Sequence, residues 1–233
     1  MSAQSRRELF RQALAIPIAA QMVSAHVTVP ALGLQILHGK GCLSEESAAG
    51  YRSTLAKQQF SLTSSHLIIV AGAPSFAEAG LLHLHSRVTR GAWLVWENPP
   101  HFGNSDGMNE QAQSLQRTFG LRFTPAAEPQ ASMYIRYHWP VNTLVRTFGS
   151  VARVECLPEQ AIAHHDRHPI AIKRSIGHGG IVFLGSMLGP HLAANDREAQ
   201  GLAKRIVTAL SSPELHSDTL RFRSNPGISP SNA

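Results

Sequence analysis

The sequence predicts an α/β domain: a three-layer arrangement with a mostly parallel sheet, helices on both of its faces and a β-hairpin near the C-terminus. Three observations predict it. Strand, turn and helix alternate from residue 34 onward in the order βαβαβ, which demands crossovers between parallel strands. The runs His66 to Ala71 and Ala92 to Trp96 are continuously apolar, as in strands covered on both faces. The chain has 233 residues, of which 43% are hydrophobic and 15% charged, enough for one domain with a sizeable core.

Each element follows from its own residues. Leu34-Gln35-Ile36-Leu37 is an apolar strand ending at the turn His38-Gly39-Lys40-Gly41, and Ser44-Glu45-Glu46 opens a helix through about Phe60. The run from His66 is closed by Gly72-Ala73-Pro74, a helix spans Phe76 to Arg90, and Ala92 to Trp96 is the third buried strand. After Glu97-Asn98-Pro99-Pro100 a polar loop leads to a helix from about Glu110 to Thr118, and Leu121-Arg122-Phe123 is a short strand. The stretch from Pro125 to Val141 has no clean period and reads as a long surface excursion, the kind of segment that often carries function. Ala161 to Ala163 and Pro169 to Ile172 flank the polar tip His164-His165-Asp166-Arg167 as a hairpin. Ile181 to Leu184 is a further buried strand, and Asn195-Asp196 caps a helix through about Leu210. The Pro- and Ser-rich tail, residues 211–233, is expected to be disordered, leaving 26–210 as the domain.

The first 25 residues have the pattern of an export signal: Arg6-Arg7 with Leu9-Phe10, a short apolar stretch from Ala13 to Ala20, and small residues before a cleavage point near Ala25. The paired arginines resemble the twin-arginine type, whose cargo crosses the membrane folded. A periplasmic or secreted location follows. The alternative is a cytoplasmic protein whose N-terminal helix packs on the domain. No apolar run approaches the roughly 18 to 20 residues of a membrane-spanning helix. The net charge of +6 is modest, and loss of Arg6, Arg7, Glu8 and Arg11 with the signal would lower it, so a nucleic-acid partner is not expected. An oxidising compartment would allow the two cysteines, Cys42 and Cys156, to pair, although nothing in their spacing requires it.

The strand ending Leu94-Val95-Trp96, the sharp turn after it, the helix Glu110 to Phe119 with its terminal Gly120, and the late segment Gly177-His178-Gly179-Gly180-Ile181-Val182-Phe183-Leu184-Gly185-Ser186 resemble the class I glutamine amidotransferase-like superfamily, a flavodoxin-like fold, over roughly residues 33–210. The resemblance implies that the turn after the third strand is the nucleophile elbow. Here that turn is Glu97-Asn98-Pro99-Pro100, with no Cys or Ser to attack and with prolines that remove backbone donors. The family's His-x-Glu pair has no counterpart either, since His191 lacks a Glu two residues on. Glutaminase activity is not expected.

In open α/β sheets ligands bind beyond the carboxyl ends of the strands, here the loops starting at His38, Gly72, Glu97 and Gly185. The expected ligand-binding residues are His38, Lys40, Glu97, Asn98 and Ser186 at that edge, with His138 and Trp139 of the excursion as a rim. Candidate catalytic residues are Glu97 as acid or base with His101 or His191, and Cys42, whose thiol sits near Lys40 and a helix start. Each has a plainer reading: Glu97 as a turn cap or ion-pair partner, Cys42 as a small packed side chain, the aromatics as anchors of the excursion. His164, His165, His168 and Asp166 are metal-capable types, but alternation along a hairpin keeps them from converging, so no metal is expected, nor any cofactor. The sequence therefore predicts a non-catalytic domain that binds an unidentified small molecule or protein. The competing prediction is a hydrolase or amidase-like enzyme built on Glu97 and a nearby His.

Overall fold

The computed structural model describes residues 25–29, 33–40, 42–56, 67–72, 76–98, 105–124, 134–147 and 151–211, with the backbone alone for 25–29 and 105–108. Of the expected signal, residues 1–25, and the expected tail, residues 211–233, all but Ala25 and Ser211 lie outside the described residues, as does His101.

The parallel part of the sheet grows from the apolar runs. Strands β2 (Leu34–His38), β3 (Leu67–Ala71), β4 (Trp93–Glu97) and β11 (Gly179–Leu184) lie side by side and parallel. Every residue of β3, β4 and β11 is buried. That is possible because helices cover both faces. On one face α1 (Cys42–Leu55), α4 (Gly189–Ala193) and α5 (Arg197–Ser211) pack through Tyr51, Leu55, Leu192, Leu202 and Ile206 against Ile36, Ile69 and Val95. On the other, α2 (Glu78–Thr89) and α3 (Ser105–Phe119) pack through Leu84, Val88 and Leu115 against Ile68, Leu94 and Phe183. A small two-stranded sheet, β5 (Arg122–Thr124) with β8 (Arg153–Glu155), extends this second layer, and Phe123 meets Phe183 with ring centres 5.0 Å apart.

The rest of the sheet is antiparallel. Beyond β11 come β10 (His168–Ile176), β9 (Ala161–His165), β6 (Tyr134–Tyr137) and β7 (Thr143–Arg146), and at the opposite edge β1 (Ala25–Val29) pairs antiparallel with β2. The nine strands run in the order β1-β2-β3-β4-β11-β10-β9-β6-β7. Three neighbouring pairs are parallel and five antiparallel, and the mixed sheet curls into a half-barrel. This overturns the expected mostly parallel, flavodoxin-like and amidotransferase-like sheet. The physical reason lies in three short strands, β1, β6 and β7, that carry little periodic signal. β6 and β7 are four residues each and half-exposed, and β1 adjoins the predicted signal.

Local chemistry fixes the turns. β9 and β10 are joined by Asp166-Arg167, both at positive φ (47° and 68°), the geometry of a two-residue hairpin turn that matches strand twist. Arg174 of β10 donates to the carbonyls of Phe119 and Gly120, satisfying the exposed end of α3. No helix among the described residues is long and apolar enough to cross a membrane.

Candidate functional site

The carboxyl ends of β2, β3, β4 and β11 share one edge, and Glu97 sits at its centre. Trp96 points into the layer of α2 and α3, so Glu97, one residue on, points to the opposite face, towards α1 and α4. There Ser47 and Tyr51, four residues apart on α1 and hence one above the other, both reach it. Ser47 Oγ donates to Oε2 at 2.6 Å and Tyr51 Oη to Oε1 at 2.8 Å. The backbone N–H groups of Leu188 and Gly189 donate to Oε1, each at 2.7 Å. Glu97 is 0% exposed. Both carboxyl oxygens are occupied, and no histidine is among the four donors.

Two glycines make this possible. A Cβ on Gly189 would lie 1.6 Å from Ser47 Oγ, and one on Gly50 would lie 2.4 Å from the carbonyl oxygen of Gly189. Only bare backbone at both positions lets α4 approach α1 closely enough to bring its first N–H groups onto Glu97.

Burial raises the pKa of Glu97 above the ordinary carboxylate value, opposed by its hydrogen bonds from Ser47, Tyr51, Leu188 and Gly189. The site accommodates the neutral form: with a hydrogen on Oε2 facing Ser47 Oγ, Oε1 still accepts its three bonds. Burial, with Glu97 beside it, also holds the Tyr51 hydroxyl well above its usual range, so it remains a donor.

The rest of the edge is filled as well. Ser44 Oγ accepts from Gly39 N and donates to Ala71 O, both at 2.8 Å, lacing the loop after β2 to the end of β3. Gly72, at φ 56°, leaves room for Met187, whose Cε a Cβ there would meet at 2.4 Å. Asn98 and Ser186 are buried, and the Asn98 N–H donates to Leu184 O. His38 is nearly buried, with Nδ1 2.9 Å from its neighbour's carbonyl, so Nδ1 carries the hydrogen. Lys40 and Cys42 are exposed. Cys42 and the half-buried Cys156 are both free thiols. His191 lies on α4, its backbone N–H bonded to Leu188 O.

His138 and Trp139 are not part of this edge cluster. Trp139 covers Lys173, whose Nζ is 4.9 Å from its ring centre and 5.4 Å from that of Trp93. The anchoring role expected as the plainer reading fits this packing. His138 Nε2 lies 3.0 Å from His164 Nδ1, while the next residue, His165, points inward and is buried. Among the described residues no group of three or more His, Cys, Asp or Glu is placed to hold a metal ion.

Sequence reasoning missed Ser47, Tyr51 and the two N–H donors, because nothing in a helix pattern says which of its hydroxyls will face a carboxylate brought from another strand. It also missed an open groove of about 470 Å³ between α3 and the β5–β8 sheet, lined by Gln113, Gln116, Arg122, Phe123 and Glu155. The helical spacing of Asn109, Gln113 and Gln116 was the available signal, since it sets three amides on one stripe.

No family model matches the chain, and no curated protein does. Solved structures do. An exo-β-1,4-mannosidase from Opitutaceae bacterium strain TAV5 is similar at 15% identity and TM-score 0.46, over 71% of this chain and 30% of that one. A β-galactosidase from the Antarctic haloarchaeon Halorubrum lacusprofundi is similar at 15% identity and TM-score 0.48, over 70% of this chain and 26% of that one. A cytoplasmic protein from Salmonella typhimurium LT2 is similar at 8% identity and TM-score 0.50, over 82% of this chain and 95% of that one. The chain thus spans under a third of the glycosidases it matches. Identities this low concern the fold alone. Membership of the glutamine amidotransferase-like superfamily, implied by the sequence resemblance, is withdrawn, because the mixed, curled sheet contradicts it.

Proposed function

We propose that this chain is a non-catalytic ligand-binding or protein-interaction domain, exported from a bacterial cytoplasm. The observation that carries the non-catalytic reading is the complete burial of Glu97 among four protein donors. A general acid or base must exchange a proton with a substrate within hydrogen-bond reach, and Glu97 is 0% exposed with both oxygens turned to protein donors. Its bonds join β4, α1 and the start of α4, which is the work of a clamp. Surfaces for a ligand are elsewhere: the amide-lined groove beside α3, and the outward face of β6 and β7 with Tyr134, Arg136, Leu144 and Arg146. Export rests on the pattern of residues 1–25.

Glu97→Gln separates this reading from a hydrolase or amidase. Melting temperature and hydrolysis of nitrophenyl ester and anilide probes are measured side by side. A clamp gives a lower Tm with no probe hydrolysis lost. An activity present in the parent and absent from a variant of unchanged Tm makes the protein an enzyme. Export is tested by N-terminal sequencing of the protein recovered from a bacterial host with a twin-arginine pathway. A new terminus near Ala25 supports it, and an intact start on a cytoplasmic protein overturns it.

A further inference from the structure

His138 and His164 stand on neighbouring antiparallel strands. His138 follows β6 directly and its N–H donates to Ile162 O at 2.8 Å, continuing the ladder with β9, whereas His164 faces Arg136 in register. The two histidines are therefore diagonal cross-strand neighbours on one face, a separation that long side chains can bridge. His138 is exposed and His164 half-buried, and their nitrogens Nε2 and Nδ1 meet at 3.0 Å. A carboxylate is not part of this pair, which sets it apart from the His165 and Asp166 contact at the hairpin turn.

We propose that His138 Nε2 and His164 Nδ1 form a two-histidine chelate for a divalent late transition metal, Cu(II) foremost and Ni(II) more weakly. The argument is geometric. Two nitrogens bound to one metal at about 2.1 Å are about 3.0 Å apart when they are cis at a right angle, and about 3.4 Å apart in a tetrahedral site. The separation of 3.0 Å fits the cis arrangement of a tetragonal centre, and imidazole ligands in that geometry select Cu(II) or Ni(II), with copper favoured by the general affinity order.

The strands fix the two Cα positions, so binding asks only for rotation of two ring tips. One hydrogen now lies between the rings. It moves to the far nitrogen of the ring that carries it, leaving two lone pairs facing the metal, and a neutral pair releases no net proton. Water completes the coordination. Arg136, opposite His164 in register, is a like charge that limits affinity.

The test is calorimetric titration of the tag-free full chain with Cu(II) in a weakly coordinating buffer, with the electron paramagnetic resonance spectrum recorded at one equivalent. One site per chain is expected, with a spectrum showing two imidazole nitrogens. His138→Ala and His164→Ala should each weaken it at least ten-fold and leave at most one of those nitrogens, while His168→Ala should leave affinity and spectrum unchanged. His138→Gln, read on protein with an unaltered melting curve, repeats the loss without a change in packing. The proposal is overturned by a parent protein that binds no copper. It is equally overturned by His138→Ala and His164→Ala retaining parental affinity, or by His168→Ala losing as much as His164→Ala, which would put the cation on the hairpin tip.

Discussion

The two halves of the sheet treat polar groups in opposite ways. In the parallel half every position of β3, β4 and β11 is buried, and the carboxylate that enters it, Glu97, does so with four donors supplied by the protein. In the antiparallel half β6 alternates, with Ile135 and Tyr137 inward and Tyr134 and Arg136 outward. Its outward polar groups stay at the water and lean on one another, as Arg146 does on Tyr134 and His138 on His164. A buried polar group costs free energy until it is satisfied, so the first half has committed its chemistry to holding itself together. The second half keeps groups that an outside ligand could claim.

The largest effect is expected where the first half is tightest. Gly189→Ala places a methyl 1.6 Å from Ser47 Oγ and 2.5 Å from Ser47 Cα, so α4 must move away from α1 and take both N–H donors off Glu97. Overpacking together with a stranded buried carboxyl should cost about 3 kcal/mol or more in denaturant unfolding. A variant as stable as the parent would mean that α4 is not clamped, and the contrast between the halves would fail at its strongest point.

Glu97→Gln comes next. It keeps the shape, and its amide oxygen can take the three bonds of Oε1, but its NH2 reaches Ser47 Oγ only if that hydroxyl turns from donor to acceptor, at a cost of about 1 to 2 kcal/mol. The pH dependence sharpens the reading. Burial raises Glu97 above its ordinary value, so the folded state holds the proton more readily than the unfolded chain does. The stability Glu97 contributes is then fully present below the ordinary carboxylate range and is lost as pH rises through the raised native value. The gap between parent and variant should be widest in acid and narrow towards neutrality. A gap that widens with pH would show the opposite, a carboxylate held ionised by its donors.

The same contrast explains what could be read from the sequence. Leu67 to Ala71 and Trp93 to Trp96 announce buried strands because both faces are apolar, and Ser44-Glu45-Glu46 or Asn195-Asp196 announce helix starts through their capping chemistry. Tyr134 to Tyr137 and Thr143 to Arg146 each give only one or two inward residues, too few for a period, and it is these strands that extend the sheet beyond the expected hairpin and make antiparallel pairs the majority. At the site, Glu97 was legible as a residue of note from its place at the end of an apolar strand. Its partners were not, because Ser47 and Tyr51 become partners only through the approach of α1 and α4, which two glycines permit.

Where the halves meet, a smaller effect is expected. Lys173 of β10 lies over both Trp93 of β4 and Trp139 beyond β6. Trp139→Ala removes one of the two faces and should cost about 1 kcal/mol through lost cation–π attraction and packing. No measurable change would mean that Trp139 is not an anchor, and the rim role in ligand binding would become the better account of it.

The smallest effect belongs outside both halves, on the β5–β8 sheet, where Arg122 and Glu155 approach to 3.9 Å with side chains 65% and 71% exposed. Water screens the pair, and ordering two long side chains offsets most of the attraction, so a double-mutant cycle of Arg122→Ala and Glu155→Ala should give a coupling of at most about 0.5 kcal/mol. Both residues also line the groove beside α3, which gives the cycle a second use. Because they matter so little to stability, any ligand of that groove can be tested with the same two variants on a fold that has not changed. A coupling well above that bound would mean that the pair is structural after all, and that self-satisfaction of polar groups is not confined to the buried parallel half.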